Sequence, residues 1–197
     1  MTNVIVKEYA GRMPLDPRTK MVAGAAQLIG ERGVGATSVR ELAKFTGAPL
    51  GSTYHYFPGG KDQLVEEAVA WVSGRVEKVL ARAGEGGALA ALDAFITNWR
   101  EFLVASDYEA SCPVLAVATE ATATAGPANE VFKTWQGLLV PVLRRDGVAP
   151  QRAERLAWLI VGSLEGAVVM ARSQRSPEPL EAVAAELRVL ITDAVSS

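Results

Sequence analysis

Apolar residues recur at three- and four-residue spacing along almost the whole chain from residue 18 onward, which is the period of an α-helix. No segment alternates between apolar and polar residues in the way that a half-buried β-strand does. Glycine and proline interrupt the pattern and divide it into nine predicted helices. The first four are predicted at 18–32, between 38 and 47, from 48 to 57, and from 61 to the glycine-rich stretch 84–87; the other five are predicted at 88–105, 113–123, 128–145, 150–174 and 177–195. The sequence therefore predicts an all-α fold.

Charge is distributed unevenly along the chain, although the net charge is only −2. Residues 1–61 contain eight Lys or Arg and four Asp or Glu, which sum to +4, whereas residues 62–197 contain twelve and eighteen, which sum to −6. Such asymmetry favours an N-terminal unit that contacts a polyanion and a C-terminal unit that does not. Before the first helix, residues 1–16 mix glycine, proline and charge without a period, so we expect a mobile arm there.

Several other classes of protein do not fit the sequence. One cysteine, Cys112, cannot form an internal disulfide, and no signal-peptide pattern is present at the N-terminus. The apolar run 156–170 is interrupted by Ser163 and Glu165 and is shorter than the roughly 20 residues that span a bilayer. Metal-ligand spacings, nucleophile elbows and glycine-rich phosphate loops are also missing. We therefore expect a soluble, cytoplasmic protein with no membrane partner, catalytic residue, metal or cofactor.

The stretch from residue 37 to residue 57 has the spacing of a helix-turn-helix, with a short helix, a turn that contains Gly47 and a second short helix. Gly47 can adopt the positive φ that a tight turn between helices requires. The apolar residues of both helices can pack together and leave the opposite face open. That face carries Leu50, Gly51 and Ser52, followed by residues 54–56 (Tyr-His-Tyr), a composition that suits close approach to a polyanion.

The TetR family of bacterial transcription regulators has a DNA-binding signature that this chain resembles in residues 37–43 (Thr-Ser-Val-Arg-Glu-Leu-Ala), Gly47, residues 51–57 (Gly-Ser-Thr-Tyr-His-Tyr-Phe), Lys61 and Leu64. The resemblance covers residues 18–68, and the long helices that follow are similar in layout to the family's C-terminal domain. It implies a nine-helix architecture with an arm (1–16), a helix-turn-helix DNA-binding domain (17–62) and a ligand-binding and dimerisation domain (63–197). It also implies a homodimeric repressor that binds a palindromic double-stranded DNA operator and is released by a small, largely apolar effector.

A narrower resemblance involves Phe-Pro-Gly-Gly-Lys at residues 57–61 and Ser-Cys-Pro-Val at residues 111–114. Both are similar to a subgroup of drug- or flavonoid-responsive regulators, the LmrA/YxaF-like group.

The resemblance also implies roles for individual residues. The recognition helix would place four residues in the major groove, with Arg40 reaching in from the preceding helix; the four are Leu50, Gly51, Ser52 and Tyr54. Five others match positions that usually hold backbone phosphates, namely Thr37, Ser38, His55, Tyr56 and Lys61. Many relatives carry Lys or Arg where this chain has Leu50, which cannot form a bidentate contact to guanine, so a thymine methyl is the expected contact.

Aromatic residues of the C-terminal helices are candidates for a ligand pocket. The candidate pocket residues are Phe95, Trp99, Phe102, Trp135 and Met170, and the candidate polar anchors are Asn98, Gln136 and Glu120. The same aromatic residues at helical spacing also fit an ordinary core. By resemblance, the last two helices form a four-helix dimer interface through the apolar residues Leu156, Leu159, Ile160, Leu164, Val168, Leu180, Val183, Leu187, Leu190 and Ile191.

Two other functions remain as alternatives: a helical enzyme, and a small-molecule-binding or adaptor protein without DNA binding. Catalysis finds little support, because His55 is the only histidine and has no plausible nucleophile nearby in the sequence. Cys112 fits a small buried role better than a redox sensor, since no basic neighbour lowers its pKa. Glu165 interrupts an apolar stretch, so it either lies buried as a site candidate or reaches solvent or an arginine.

Overall fold

The computed structural model describes residues 16–120 and 125–196, and these residues form helices and no β-strand. The expected all-α fold with nine helices is therefore confirmed for the described part of the chain. The helices are α1 (Pro17–Arg32), α2 (Val39–Thr46), α3 (Leu50–Tyr56), α4 (Gly60–Gly84), α5 (Ala88–Ala105), α6 (Pro113–Thr119), α7 (Ala125–Arg145), α8 (Pro150–Gln174) and α9 (Glu178–Val195). The predicted arm lies outside the described residues except for Asp16.

Helix α1 begins and ends at residues suited to helix termini. The Asp16 carboxylate accepts hydrogen bonds from the backbone N–H groups of Arg18 and Thr19, both at 3.0 Å. Pro17 occupies the first turn, where its missing N–H is not needed. At the other end, Gly33 has a φ of 78°, which stops the helix and turns the chain toward α2.

Helices α2 and α3 form the expected pair of short helices. Ser38 caps α2, because its hydroxyl oxygen accepts from the Glu41 backbone N–H at 3.1 Å. The Glu41 carboxylate binds the Lys44 ammonium at 2.8 Å. Gly47 ends α2 in the left-handed region (φ 69°, ψ 17°), as predicted for the turn.

One continuous core connects the helices. Helix α4 packs against α1, α5 and α7, while α8 packs against α7 and α9. Helix α4 is therefore in contact both with the first helix of the helix-turn-helix unit and with the C-terminal bundle. The largest fully buried side chains are those of Trp135, Phe57, Phe95, Leu28, Ile29, Leu42, Leu64, Leu92, Ile96, Leu103, Leu143 and Leu156.

Two predicted helix boundaries were wrong by three or more residues. Helix α6 ends at Thr119 instead of residue 123, because Glu120 adopts an extended backbone (φ −84°, ψ 128°). Helix α7 begins at Ala125, three residues earlier than predicted. Pro127 does not prevent this earlier start, because it lies in the first turn of α7, where proline is tolerated.

Helix α8 is long and apolar enough, by length and composition alone, to span a membrane. Half of its most apolar 18-residue window is buried inside the structure, and the core helix of a globular protein meets the same criterion. This property therefore gives only weak evidence for a membrane segment.

Candidate DNA interface and ligand cavity

The outer face of α3 is uncharged and open to solvent. Leu50 and Tyr54 lie one helical turn apart and are 40% and 50% exposed. Gly51 lies between them, and a Cβ atom placed on it would meet no atom within 4 Å. On the inner face, Thr53 and Phe57 are completely buried. The structure therefore separates α3 into a packed side and an accessible side, as the amphipathic pattern predicted.

Arg40, predicted to reach into the major groove, and the residues predicted to contact phosphate are mostly accessible. Arg40 is exposed on α2, and Lys61 is exposed in the first turn of α4. His55 is exposed and Tyr56 is half-buried, with their rings edge to face at 5.7 Å between centroids. Ser38 is half-buried at the start of α2.

Thr37 differs from this pattern. It is buried, and its hydroxyl donates to the Gly33 carbonyl at 2.8 Å. Its backbone N–H donates to the Val34 carbonyl at 3.0 Å. Both of its donors therefore stabilise the turn between α1 and α2, and the phosphate contact expected of its side chain does not agree with this geometry.

A hydrogen-bond network that the sequence analysis missed fixes α3 against α1 and α4. The Gln63 amide accepts from the Gly59 N–H at 2.8 Å and donates to the Tyr56 carbonyl at 3.2 Å and to the Glu67 carboxylate at 2.8 Å. Arg18 donates to both Glu67 oxygens, at 2.6 and 2.7 Å. The only sequence signal for this network is the four-residue spacing of Gln63 and Glu67 at the start of α4.

A small cavity lies between α4 and α5 and is bounded by α1 and α6. Its volume is about 30 Å³, which is room for little more than one water molecule. The side chains around it are mainly apolar. The lining residues are Ala26, Trp71, Val72, Arg75, Val76, Asn98, Trp99, Phe102 and Pro113.

The predicted pocket residues fall into three groups. Trp99 and Phe102 line the cavity and pack edge to face, with ring centroids 5.6 Å apart. Phe95 and Trp135 are completely buried, pack on each other at 5.8 Å and do not line it, so the core interpretation fits them. Met170 is 46% exposed on α8 and is also absent from the lining.

The predicted polar anchors also separate. Asn98 lines the cavity, whereas Gln136 is half-buried on α7 and does not line it. Glu120 does not line the cavity, because its carboxylate accepts hydrogen bonds from backbone N–H groups of the turn after α1. The cavity residues that the sequence analysis missed are Trp71 and Arg75, one turn apart on α4, with the guanidinium carbon 4.9 Å from the ring centroid. Their four-residue spacing was the available signal.

Buried polar atoms without a hydrogen-bond partner occur in the C-terminal helices. They are the indole nitrogens of Trp99 and Trp135 and both carboxyl oxygens of Glu165. Burial raises the pKa of Glu165 to about 8, with a smaller opposing effect from the neighbouring Cys112 thiol. Burial, and then the proximity of Glu165, raise the pKa of Cys112 well above its ordinary value. Glu165 is therefore mostly neutral at pH 7, and Cys112 is a buried thiol with little thiolate character.

Three contacts hold the C-terminal end of α1 against the C-terminal helices, and we call them the α1 junction. The Ser111 backbone N–H donates to the Gly30 carbonyl at 3.0 Å. Arg172 on α8 donates to the Glu31 carbonyl at 2.8 Å. Glu120 accepts from the backbone N–H groups of residues 34 and 35, at 2.6 and 3.3 Å. A Cβ atom on Gly30 would lie 2.5 Å from the Ser111 carbonyl oxygen, so only glycine allows this approach.

Helices α8 and α9 present an outer face with apolar and small residues. Trp158, Leu159 and Met170 are exposed on α8, and the exposed Gly162 and Gly166 lie between them along the helix. Many of the residues predicted for a dimer interface are instead buried inside the chain, because they form the inner faces of the two helices. The buried ones are Leu156, Ile160, Leu164, Val168, Leu180, Leu187 and Ile191. Leu159 is exposed, whereas Val183 and Leu190 are half-buried.

A metal site does not emerge from the part of the chain that the structure describes. Within residues 16–120 and 125–196, no three His, Cys, Asp or Glu side chains cluster closely enough to hold a metal ion.

Known protein families match the chain in two segments. Residues 21–68 match the family described as bacterial regulatory proteins, tetR family, and residues 88–186 match the C-terminal domain of LmrA/YxaF-like transcriptional regulators. An uncharacterized HTH-type transcriptional regulator of Mycobacterium tuberculosis, Rv0196, is 41% identical over 184 residues, which are 89% of this chain and 94% of that protein. The HTH-type regulator YxaF of Bacillus subtilis is 29% identical over 182 residues, which are 89% and 95% of the two chains.

The fold agrees with a solved structure of the same class. A TetR transcriptional regulator from Legionella pneumophila superimposes with a TM-score of 0.78 at 20% identity, covering 88% of this chain and 96% of that one. The resemblance of residues 37–64 to a DNA-binding signature, and that of residues 57–61 and 111–114 to one subgroup, are thus confirmed at the level of the family. The chain belongs to the TetR family of bacterial regulatory proteins, among its LmrA/YxaF-like transcriptional regulators.

Proposed function

We propose that this regulator is a cytoplasmic repressor that binds a palindromic DNA operator as a homodimer and leaves it when a small, largely apolar effector binds. Residues 17–62 form its DNA-binding unit, and residues 63–197 form its ligand-binding and dimerisation unit. The observation that carries the proposal is the solvent-exposed, uncharged face of α3, held by a packed helix-turn-helix and flanked by accessible donors.

The outer face of α3 reads the major groove in this proposal. Gly51 and Ser52 allow close approach, and Tyr54 offers a hydroxyl to a base edge or a phosphate. Leu50 has no polar group and contacts a thymine methyl. Arg40 reaches the groove from α2. The support is the exposure of all five side chains or backbone positions on the described surface.

The phosphate contacts come from residues around the groove-reading face. Lys61 lies in the first turn of the 25-residue helix α4, where the backbone N–H groups and the helix dipole also favour an anion. Ser38, His55 and Tyr56 add further donors. Thr37 is left out of this set because its donors are already bonded within the turn.

A dimer supplies a second recognition helix for the second half-site of the operator. The two half-sites lie one helical turn apart, about 34 Å, or a multiple of it. We assign the interface to the outer face of α8 and α9. Exposed apolar side chains there include Trp158, Leu159 and Met170, and the exposed glycines at 162 and 166 allow a partner helix to approach closely.

Release by an effector follows from how small the cavity is. A drug-sized ligand occupies roughly 300 Å³ or more, so the lining residues must move apart to admit one. The lining includes Ala26 of α1, Trp71 of α4 and Pro113 of α6, so expansion displaces helices that touch or belong to the DNA-binding unit. Movement of α4 is passed to α3 through Gln63 and changes the separation of the two recognition helices. Such coupling typically amounts to about 1 to 3 kcal/mol.

DNA binding is tested by fluorescence anisotropy with the duplex that lies upstream of the protein's own gene. The wild type should bind with an affinity that falls steeply as salt rises, and the double variant Tyr54→Ala, Lys61→Ala should lose binding. Lys78→Ala, which removes an exposed lysine farther along α4, is the control and should bind like the wild type. Binding that survives the double variant would reject this interface. An absence of binding by the wild type at low salt would favour a small-molecule-binding protein instead.

The dimer is tested separately by light scattering after size-exclusion chromatography. Gly166→Glu places a charged side chain on the outer face of α8 and should give a monomer that has lost operator binding. Gly137→Glu makes the same change at an exposed helical glycine of α7, with open space around it, and should remain dimeric. A monomeric wild type, or a dimeric Gly166→Glu variant, would contradict the assigned interface.

A further inference from the structure

Helix α1 ends on groups that belong to the C-terminal helices and their connections. The last carbonyls of a helix have no partner inside it, and here two of them are satisfied from outside. The Gly30 carbonyl accepts from the Ser111 backbone N–H at 3.0 Å. The Glu31 carbonyl accepts from the Arg172 guanidinium at 2.8 Å. The direction in which α1 leaves the C-terminal bundle is therefore fixed by partners outside the DNA-binding unit.

We infer that Arg172 is a positioning residue, and that its contact with α1 sets the distance between the two half-sites that the protein accepts in its operator. The inference rests on the proposed function, because it requires a dimer on a palindromic operator. In this role Arg172 contacts no base or phosphate and acts on the DNA only through α1.

Arg172 joins three elements through two separate nitrogen atoms. Its Nη2 atom donates to the Glu31 carbonyl of α1, and its Nη1 atom donates to the Ser111 hydroxyl in the segment before α6, at 3.3 Å. The guanidinium is planar and rigid, so two such bonds also fix its orientation. Its positive charge lies at the C-terminal end of α1, where the helix dipole favours a cation. A lysine could supply the charge but not the fork of donors.

Among the three contacts of the α1 junction, only that of Arg172 comes from α8. Val169 and Met170 lie within three residues of it and are 44% and 46% exposed on the outer face that we assign to the dimer. The contacts of Ser111 and Glu120 come instead from the two ends of the segment that contains α6. Arg172 is therefore the most direct connection, within the described residues, between the proposed partner subunit and α1.

The recognition helix is attached to the opposite end of α1. Arg18 in the first turn of α1 donates to Glu67, which also accepts from Gln63. Gln63 in turn donates to the Tyr56 carbonyl at the end of α3. With 16 residues, α1 is about 24 Å long, so a tilt of about 8° at the junction displaces its far end by about 3.4 Å. This displacement equals the rise of one base pair, so a small change at Arg172 is enough to alter the preferred spacing.

Helix α4 alone leaves this tilt open. It runs from the DNA-binding unit into the C-terminal bundle and packs against α1, α5 and α7. A single helix fixes the position of the unit, but the unit can still rotate about the helix axis or bend with it. A second attachment away from that axis removes this freedom, and the α1 junction is such an attachment. Loss of the Arg172 side chain should therefore widen the range of accepted spacings without unfolding either unit.

Fluorescence anisotropy with four duplexes tests the inference. They are the palindrome from the region upstream of the protein's own gene, the same palindrome with one central base pair added or removed, and a single half-site. The wild type should bind the two altered palindromes at least about tenfold more weakly than the natural one. In Arg172→Gln this penalty should fall to about threefold or less, while the affinity for the single half-site stays within about twofold of the wild type.

Three further variants separate positioning from general destabilisation. Arg175→Gln removes another arginine at the end of the same helix, whose ion pair is with Asp107 after α5, so the full penalty should remain. Arg172→Lys keeps the charge and should restore part of the penalty. Ser111→Ala keeps Arg172 but removes one of its acceptors, and it should give an intermediate penalty. The last two variants keep the test decisive if Arg172→Gln does not fold.

The possible results distinguish the inference from the proposed function. An undiminished penalty in Arg172→Gln would overturn the inference and leave the proposed repressor intact. An equal loss of affinity for all four duplexes would mean that Arg172 only stabilises the fold, and it would also overturn the inference. A wild type that binds the half-site as tightly as the palindrome would instead contradict the dimeric binding of the proposed function, and the inference would fall with it.

Discussion

The outer face of α3 and the cavity between α4 and α5 are built in opposite ways. The face presents Leu50 and Tyr54 to solvent on a helix that is already packed, whereas the cavity is nearly filled by its own side chains. A DNA groove can therefore meet the face without rearrangement inside the unit. A ligand of ordinary size can enter the cavity only by moving helices. In the proposed repressor, the movement that admits the ligand is also available to change the spacing of two such faces.

Hydrogen bonding differs between the same two regions. In the helix-turn-helix, the buried hydroxyls of Thr37 and Thr53 both donate to backbone carbonyls. In the C-terminal helices that the structure describes, Trp99, Trp135 and Glu165 contain buried polar atoms without a partner. Each such atom lowers the free energy of unfolding. The C-terminal core is therefore destabilised by its unpaired polar atoms, whereas these two hydroxyls of the N-terminal unit are paired. Such a loss of stability is common where a protein must change shape.

The largest expected effect comes from truncating the aromatic core beside the cavity. Trp135 is completely buried, so Trp135→Ala should lower the free energy of unfolding by about 3 to 5 kcal/mol. Tyr54→Ala removes an aromatic ring of the exposed face and should change it by less than about 0.5 kcal/mol. Urea denaturation at one fixed protein concentration measures both, since the stability of the proposed dimer depends on concentration.

Binding of naphthalene, a small apolar probe, sharpens this comparison of core and cavity residues. Trp135→Phe, which leaves a smaller gap, should be destabilised less than Trp135→Ala and should still bind the probe. If Trp135→Ala is as stable as the wild type and loses only probe binding, Trp135 belongs to the ligand site and the division drawn here is wrong.

A smaller effect is expected from the titration of Glu165. Its pKa is about 8 in the folded protein, whereas the ordinary value is 4.5. Between these two values the folded state binds more protons than the unfolded state, so the free energy of unfolding decreases as the pH rises, by at most about 1.4 kcal/mol per pH unit. Above the folded pKa this group adds no further pH dependence.

Glu165→Gln isolates this contribution, because the amide has a similar shape and does not titrate. Denaturation of both proteins from about pH 5 to about pH 8 gives the difference in their free energies of unfolding. The wild type should lose stability relative to the variant across this interval. A difference that does not vary with pH would mean that Glu165 gains a partner or solvent in solution.

How much the sequence could predict also follows the division between the two regions. The Gly47 turn and the two faces of α3 depend on contacts between residues close in the chain, so spacing alone predicted them. The role of Thr37 was predicted wrongly because a hydroxyl at a helix start can point outward or donate back to the turn, and here it donates to the Gly33 carbonyl.

The cavity could be predicted only in part, because residues from four different helices meet around it. Of the predicted pocket residues, Trp99 and Phe102 line it, whereas Trp71 and Arg75 were overlooked. Aromatic residues at helical spacing show the same periodicity whether they face the core or a cavity. Only the packing of α4 on α5 distinguishes these environments.

The smallest expected effect concerns the connection between the two regions. Glu120 at the end of α6 accepts a hydrogen bond of 2.6 Å from the Val34 N–H in the turn before α2, while Pro113 at the other end of α6 lines the cavity. Glu120→Ala should leave operator affinity and naphthalene affinity nearly unchanged when each is measured alone. The reduction of operator affinity by naphthalene should become about three- to tenfold weaker, since single residues along a coupling route typically change it by up to about 2 kcal/mol. Glu120→Gln keeps an oxygen acceptor and should retain most of the coupling. Anisotropy titrations of the operator with and without naphthalene, together with a calorimetric titration of naphthalene alone, measure all three quantities. Full coupling in Glu120→Ala would assign the transmission to α4 and Gln63 alone, and the cavity and the recognition face would then be connected through a single helix.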